Sequence, residues 1–529
     1  MKRLITRRRF LQVGGTAVAS TALAACGVPV AKKVTKSGLP KRGGILVIAQ
    51  DAAPLGLDPQ KDAAFSTLNI IEQMYTTLLR WNDTESTVEP DLATHWEQPD
   101  STTFTFHLRQ DVKFQNGRPL TSADVQYTFQ RIMDPATGCP WGANFSAAID
   151  TMSTPDNYTI TFNLKKPFAP FIPYLATVWY CGIVYKEEVD ANGGSLTKGG
   201  YGTGPFMLEQ YVPGVSIKLK RNPYYYEKGL PYLDGLLFNI MPDDSTRMAA
   251  IRDNTAQMTW FAAPRSASQL EGVAGVHVEQ RKYYAFREGL ELDQTKAPFN
   301  DVRVRQALSL SLNRSEIASL VMLGNATVGT CIPPAAAPYG DSAQLAASLP
   351  NYQENLTQAR SLLSQAGYPN GFNTLLEVSP AYYQDVPTGE IIQQQAARAG
   401  IKIQLKQAEW GKELTDYLKT ANPMTMIGLV WQPDPDGYIF NIFYSKSPIN
   451  LGKWSDPEVD SLMQQGRSTY DVATRLSIYQ RIQQIVADKA YFIIPYVRTG
   501  QREVWRDSVH GYIPTPGNHR VYLRQTWID

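Results

Sequence analysis

Apolar positions along this chain fall into three recurring patterns. The run Ile45-Leu46-Val47-Ile48-Ala49, set off by Gly43-Gly44, has the length and continuity of a buried strand. Thr103-Phe104-Thr105-Phe106-His107-Leu108 and the segment 158–164 alternate with period two, which predicts half-buried strands. Between them Thr121 is placed to cap a helix on which Val125, Phe129 and Ile132 share one face. The second half is richer in helical spacing, with Val304, Ala307, Leu308 and Leu312 on one helix and Leu476, Tyr479, Ile482 and Val486 on another. Strand-like runs at 401–405, 426–431 and 492–496 separate these helices, so the pattern predicts an α/β architecture.

The N-terminus follows a different logic. Thr6-Arg7-Arg8-Arg9-Phe10-Leu11 is a twin-arginine export pattern, followed by a weakly apolar run to Ala25 and the lipobox Leu23-Ala24-Ala25-Cys26. That run is shorter than the roughly 20 residues a membrane-spanning helix requires, so 1–25 reads as a cleaved signal peptide with lipid attachment at Cys26. Two acyl chains there supply the two signals that stable anchoring needs. Residues 26–42 are small, polar and basic, a flexible tether with little to bury.

Charge changes the picture only after the leader is set aside. The formal net charge is +2, and removing the five basic residues before Cys26 takes the mature chain to about −3. No basic stripe points to nucleic acid. Beyond Cys26 the cysteines are Cys139, Cys181 and Cys331, so at most one internal disulfide can form, and Cys139–Cys181 is the pair to test. His95, His107, His277, His510 and His519 show no metal-ligand spacing, and no metal or other cofactor is expected. The chain also lacks a Gly-x-Ser-x-Gly elbow and a His-Glu-x-x-His helix, which argues against an enzyme and leaves no catalytic candidate.

A set of collinear blocks is more specific. They are Gly43 to Val47, Leu57-Asp58-Pro59, Pro90 to Ala93 with Trp96, the dense stretch Phe104 to Val125, Gly202-Thr203-Gly204-Pro205-Phe206, Arg221-Asn222-Pro223-Tyr224, Pro298 to Ala307, and Ala366-Gly367-Tyr368-Pro369. In this order they resemble the family 5 extracellular solute-binding proteins, which serve dipeptide, oligopeptide and nickel ABC importers. Several blocks also read as folding elements. Asn116-Gly117 has the chemistry of a tight turn, and Gly202, Gly204 and Pro205 punctuate a chain crossing.

The resemblance implies a two-lobed periplasmic-binding-protein fold, type II, cluster C, with an additional inserted domain. Carried over, it gives lobe I as 43–74, 201–286 and 496–529, the inserted domain as 75–200 and lobe III as 287–495, with two interlobe crossings near Phe286 and Tyr496. It also implies a monomer that captures a small solute, foremost a peptide, and hands it to a permease and ATPase complex outside the cytoplasm. Oligosaccharide, opine or metal chelate are the alternative ligands. In peptide binders of the family a Trp followed three residues later by an Asp faces the cleft, and the Asp accepts the peptide's ammonium. Trp431-Gln432-Pro433-Asp434 has that spacing, with Asp436 one slip away and Asp434 otherwise a turn residue; Trp410 matches a second cleft position. Some oligopeptide binders place a carboxylate-binding Arg three residues before the cleft Trp, where this chain has Gly428.

Overall fold

Two large mixed sheets and one small antiparallel sheet organise the chain. The computed structural model describes residues 39–529 except 62–63, 83–86, 262, 281–285, 334–338, 340–341, 381, 420–421, 430–431, 433, 448–449, 501 and 515–522. The signal peptide, Cys26 and most of the tether therefore lie outside the described residues. No described helix is long and apolar enough to cross a membrane.

In the first sheet Ile45–Gln50 lies between Gly235–Ile240 and Met258–Phe261, parallel to both. A strand flanked on both edges buries both faces, and Leu46, Ile48 and Ala49 are fully buried, as the continuous apolar run requires. Antiparallel strands extend this sheet to Phe206–Val212 on one side and Val276–Gln280 on the other.

The small sheet is built from the alternating segments. Thr103–Leu108 and Thr159–Leu164 pair antiparallel, and in each every second residue is buried. Ala93–Glu97 and Ile149–Asp156 form its edges. Helix Ser122–Met133 packs on the buried face, where the Phe129 ring meets Phe145 and Phe162 edge-on. It begins at Thr121 as expected, and the Asp124 carboxylate reaches back to the Thr121 amide at 2.8 Å, closing a capping box. The Asn116-Gly117 turn forms too, with Gly117 at φ +91°, a region that costs glycine nothing.

The second sheet centres on Phe286–Leu292, every residue of which is buried. Its neighbours are Met424–Leu429 on one side and both Phe492–Ile493 and Val497–Arg498 on the other. Of the expected strand at 492–496 only Phe492–Ile493 forms, and the chain rejoins the sheet at Val497–Arg498 beyond Pro495, which has no N–H to give the ladder. Beyond Met424–Leu429 lie Phe372–Val378 and Ile401–Gln407, parallel and joined through helix Asp385–Ala397. The last strand residue in this sheet is Arg498 and the next strand in the first sheet starts at Arg502. Cys139, Cys181 and Cys331 are free thiols, so the Cys139–Cys181 pair is not bonded.

Several collinear blocks prove to be joints between these units. The Gln115 side chain donates to the carbonyls of Met74 and Phe206 at 2.8 and 2.7 Å and accepts from the Gly202 amide at 2.9 Å. It thereby ties together the chain near residues 74, 115, 202 and 206. A Cβ at Gly202 would sit 2.1 Å from the Met74 carbonyl oxygen, so only glycine fits this crossing. Asp58 forms a buried two-pronged ion pair with Arg131 at 2.6 and 3.0 Å, and Asp301 caps helix Val302–Leu310 through the Arg303 amide.

Candidate functional site

Three parallel strands of the second sheet, Phe372–Val378, Ile401–Gln407 and Met424–Leu429, end at the same edge, and each runs into a helix. In open α/β sheets the carboxyl ends of such strands border the crevice where ligands bind. The connections here carry Gln384 and Asp385 after the first strand, helix Trp410–Leu418 with Glu413 after the second, and Gln432 and Asp434 after the third. Glu288 joins them from the neighbouring antiparallel strand, in register with Gly428.

This edge holds more carboxyl groups than cations. The Gln384 side-chain amide donates to Asp385 at 3.0 Å and to Glu288 at 3.4 Å, holding the two acids side by side. Burial pushes both pKa values up; their mutual repulsion adds to the rise at Asp385, and the Arg498 guanidinium opposes it at both. Glu413 is fully buried, and among the described residues neither of its carboxyl oxygens has a hydrogen-bond partner. Burial raises it from 4.5 to about 8, helped by the charges of Glu377 and Glu288. The Gln384 carbonyl oxygen is another buried acceptor without a donor among the described residues. These acceptors could take charge-assisted hydrogen bonds from a ligand cation.

Asp434 and Asp436 sit beside this edge but are already engaged. Asp434 caps helix Pro435–Phe443, accepting from the Asp436 amide at 2.9 Å. Its two oxygens also receive Arg475 at 2.7 and 3.0 Å, and both side chains are buried. Arg475 is held in turn by the Gly466 carbonyl and the hydroxyls of Tyr479 and Tyr339. Asp436 contacts the Arg467 guanidinium at 3.1 Å, and burial, only partly offset by that cation, raises its pKa to about 6. Arg467 lies 3.5 Å over the Phe440 ring, while its carbonyl accepts from the Ala169 amide at 2.7 Å. An incoming ammonium would have to displace Arg475 to reach Asp434. Trp431 lies outside the described residues, and Trp410 opens the helix that carries Glu413.

The sequence reading missed the carboxyl group at this edge, because its members sit on three separate segments. One signal was available. Charged residues at 287, 288 and 291 interrupt the run Phe286–Leu292, which is buried throughout; ionisable groups in such a strand mark a site or a paired network.

The profile of the family described as bacterial extracellular solute-binding proteins, family 5 Middle, matches residues 87–450. The chain belongs to this family. The Escherichia coli dipeptide-binding protein is 29% identical over 508 residues, covering 90% of this chain and 93% of the relative. Heme-binding protein A of Haemophilus influenzae is 27% identical, with 89% and 90% covered. Among solved structures, Helicobacter pylori DppA in complex with the peptide STSA superposes with a TM-score of 0.80 at 26% identity, covering 92% of this chain and 98% of that one. AgaA of A. tumefaciens R10 in complex with agropinic acid gives 0.79 at 26%, covering 92% and 99%. The fold is therefore the two-lobed α/β architecture of the family 5 solute-binding proteins, whose members serve transport.

Proposed function

We propose that this chain is the solute-capturing subunit of an ABC importer and takes a peptide or peptide-like ligand bearing a cationic group. The observation that carries the importer role is the match over about nine-tenths of the chain, at 26% identity, to a structure solved with a peptide. The cationic preference rests on the buried donor deficit around Glu413, Glu288 and Asp385. With the Asp434 carboxylate taken by Arg475, the acids at the strand ends are the acceptors we assign to an ammonium. Trp410, which opens the helix carrying Glu413, and Trp431, by its place in the sequence, would line the cleft. Lobe I comprises 43–74, 201–286 and 496–529, lobe III 287–495, and the inserted domain 75–200. Solute closes the lobes by binding the closed form better than the open one. Cys26 carries the lipid that holds this monomer at the membrane, beside its permease and ATPase.

Native mass spectrometry of freshly purified protein identifies the bound species, and small-angle scattering with and without it reads closure. An amine-bearing solute that lowers the radius of gyration is the expected result. A bound solute without a cationic group overturns the ligand assignment, and an unchanged profile at saturation overturns closure.

A further inference from the structure

The small sheet carries a second constellation, remote from the strand ends of the second sheet and used by nothing above. His95 stands directly opposite His107 on the edge pair Ala93–Glu97 and Thr103–Leu108. Their rings stack with centroids 4.3 Å apart and planes 11° from parallel. Glu97, two residues on and therefore on the same face, brings a carboxylate oxygen to 3.5 Å from His107 Nε2. Among the described residues this is the group of three whose ligand atoms all lie within 4.8 Å of one another.

A bulge creates the arrangement. Ala93 pairs with Leu108, but the register then shifts, so that His95 rather than Thr94 faces His107. Without the extra residue, His95 would oppose Phe106 and point with it into the core. The bulge instead turns His95 and Glu97 outward beside His107, while Trp96 stays inward opposite Phe106.

The hydrogen bonds around Thr94 set the tautomer. Its hydroxyl donates its single proton to the His107 carbonyl at 3.1 Å, so toward His95 Nδ1, at 3.0 Å, it can only accept. His95 then carries its proton on Nδ1 and presents a bare Nε2. Outer partners that fix an imidazole in this way are a usual companion of metal ligation. His107 Nε2 has no hydrogen-bond partner among the described residues.

We propose that His95, His107 and Glu97 form a three-ligand site for a divalent transition metal of the zinc, nickel and copper class. Two imidazole nitrogens and one carboxylate oxygen are the donors such ions take. Metal–ligand distances of about 2.0–2.2 Å put tetrahedral donor atoms roughly 3.4 Å apart, which the Glu97–His107 pair already meets at 3.5 Å. Side-chain rotation closes the rest. The fourth position opens on a surface groove bordered by Arg109, Asp156 and Tyr158. Metal bound here clamps the edge strand to its neighbour across the bulge.

The test uses the mature chain without a polyhistidine tag, stripped with chelator and titrated calorimetrically with zinc chloride. One equivalent is expected to bind, and His95→Gln or His107→Gln is expected to weaken binding by more than the roughly 10–100-fold that loss of an outer partner causes. Both positions face solvent on a sheet, and melting curves without metal confirm that each variant folds. Cobalt substitution separates this site from the thiols: visible bands without a sulfur charge-transfer band support it. Zinc binding unchanged in the double variant, or a cobalt spectrum dominated by thiolate, overturns the proposal.

Discussion

Glu413→Gln is the sharpest perturbation of the carboxyl edge, because it removes one ionisable group and keeps its shape. In the folded protein Glu413 titrates near 8 instead of 4.5, first through burial and then through the charges of Glu377 and Glu288. Between those values the unfolded chain has lost the proton and the folded chain keeps it. Stability therefore falls as pH rises, by about 1.4 kcal/mol for each pH unit across that window. At pH 7 the accumulated penalty is about 3 kcal/mol, an upper value because neighbouring groups relax. Glutamine carries no such penalty, so ligand-free Glu413→Gln is expected to gain about 2–3 kcal/mol at pH 7 and nothing near pH 4.5. A gain of that size raises the melting temperature by several degrees. Ligand reverses the sign. A cation stabilises the ionised form, so wild-type affinity rises toward pH 8 and binding releases protons, seen in calorimetry as heats that depend on buffer ionisation. Parallel melting profiles for the two proteins from pH 5 to 9 would refute the reasoning, as would proton release undiminished in Glu413→Gln, since Glu288 and Asp385 account for only part of it.

Asp434→Asn leaves Arg475 buried without its partner and is expected to destabilise the ligand-free protein by about 3–5 kcal/mol, with Asp434→Asn/Arg475→Met recovering much of the loss. An unchanged melting temperature together with abolished binding would make Asp434 a ligand contact instead. Cys26→Ser is expected to leave the leader uncleaved or release the protein from membranes, and fractionation of cells expressing each form reads the outcome.

Much of the architecture was legible because local chemistry and tertiary context agree in it. The period-two runs at 103–108 and 159–164 became strands since one face of the small sheet packs under helix Ser122–Met133 and the other meets water. Thr121 and Asn116-Gly117 worked because caps and turns are decided within four residues. The 492–496 run misled because apolar content hides the one residue, Pro495, that cannot join a ladder. His95 and His107 escaped a search for ligand spacing for another reason: their meeting depends on a bulge, which pattern in one strand does not reveal.

The site was less legible because its decisive property is a difference between neighbours. Trp431-Gln432-Pro433-Asp434 has the spacing of the family's cleft motif, yet spacing says nothing of Arg475, 41 residues along the chain, whose guanidinium occupies the carboxylate. Gly428 shows the opposite error, an apparent loss with a consequence. Its Cβ would stand 2.2 Å from the Phe286 ring and 2.9 Å from Glu288 Oε1, so a side chain here collides with the strand that supplies the acids. An arginine at 428 and glutamate at 288 would neutralise each other; with glycine there, Arg498 is the cation that opposes the rise at Glu288. Where the resemblance implies a guanidinium in some members, this chain has Gly428 beside the buried carboxyl of Glu288. On the proposed reading, the position that weakens recognition of a free carboxylate and the acids that favour a cationic group lie together, at one edge of the sheet.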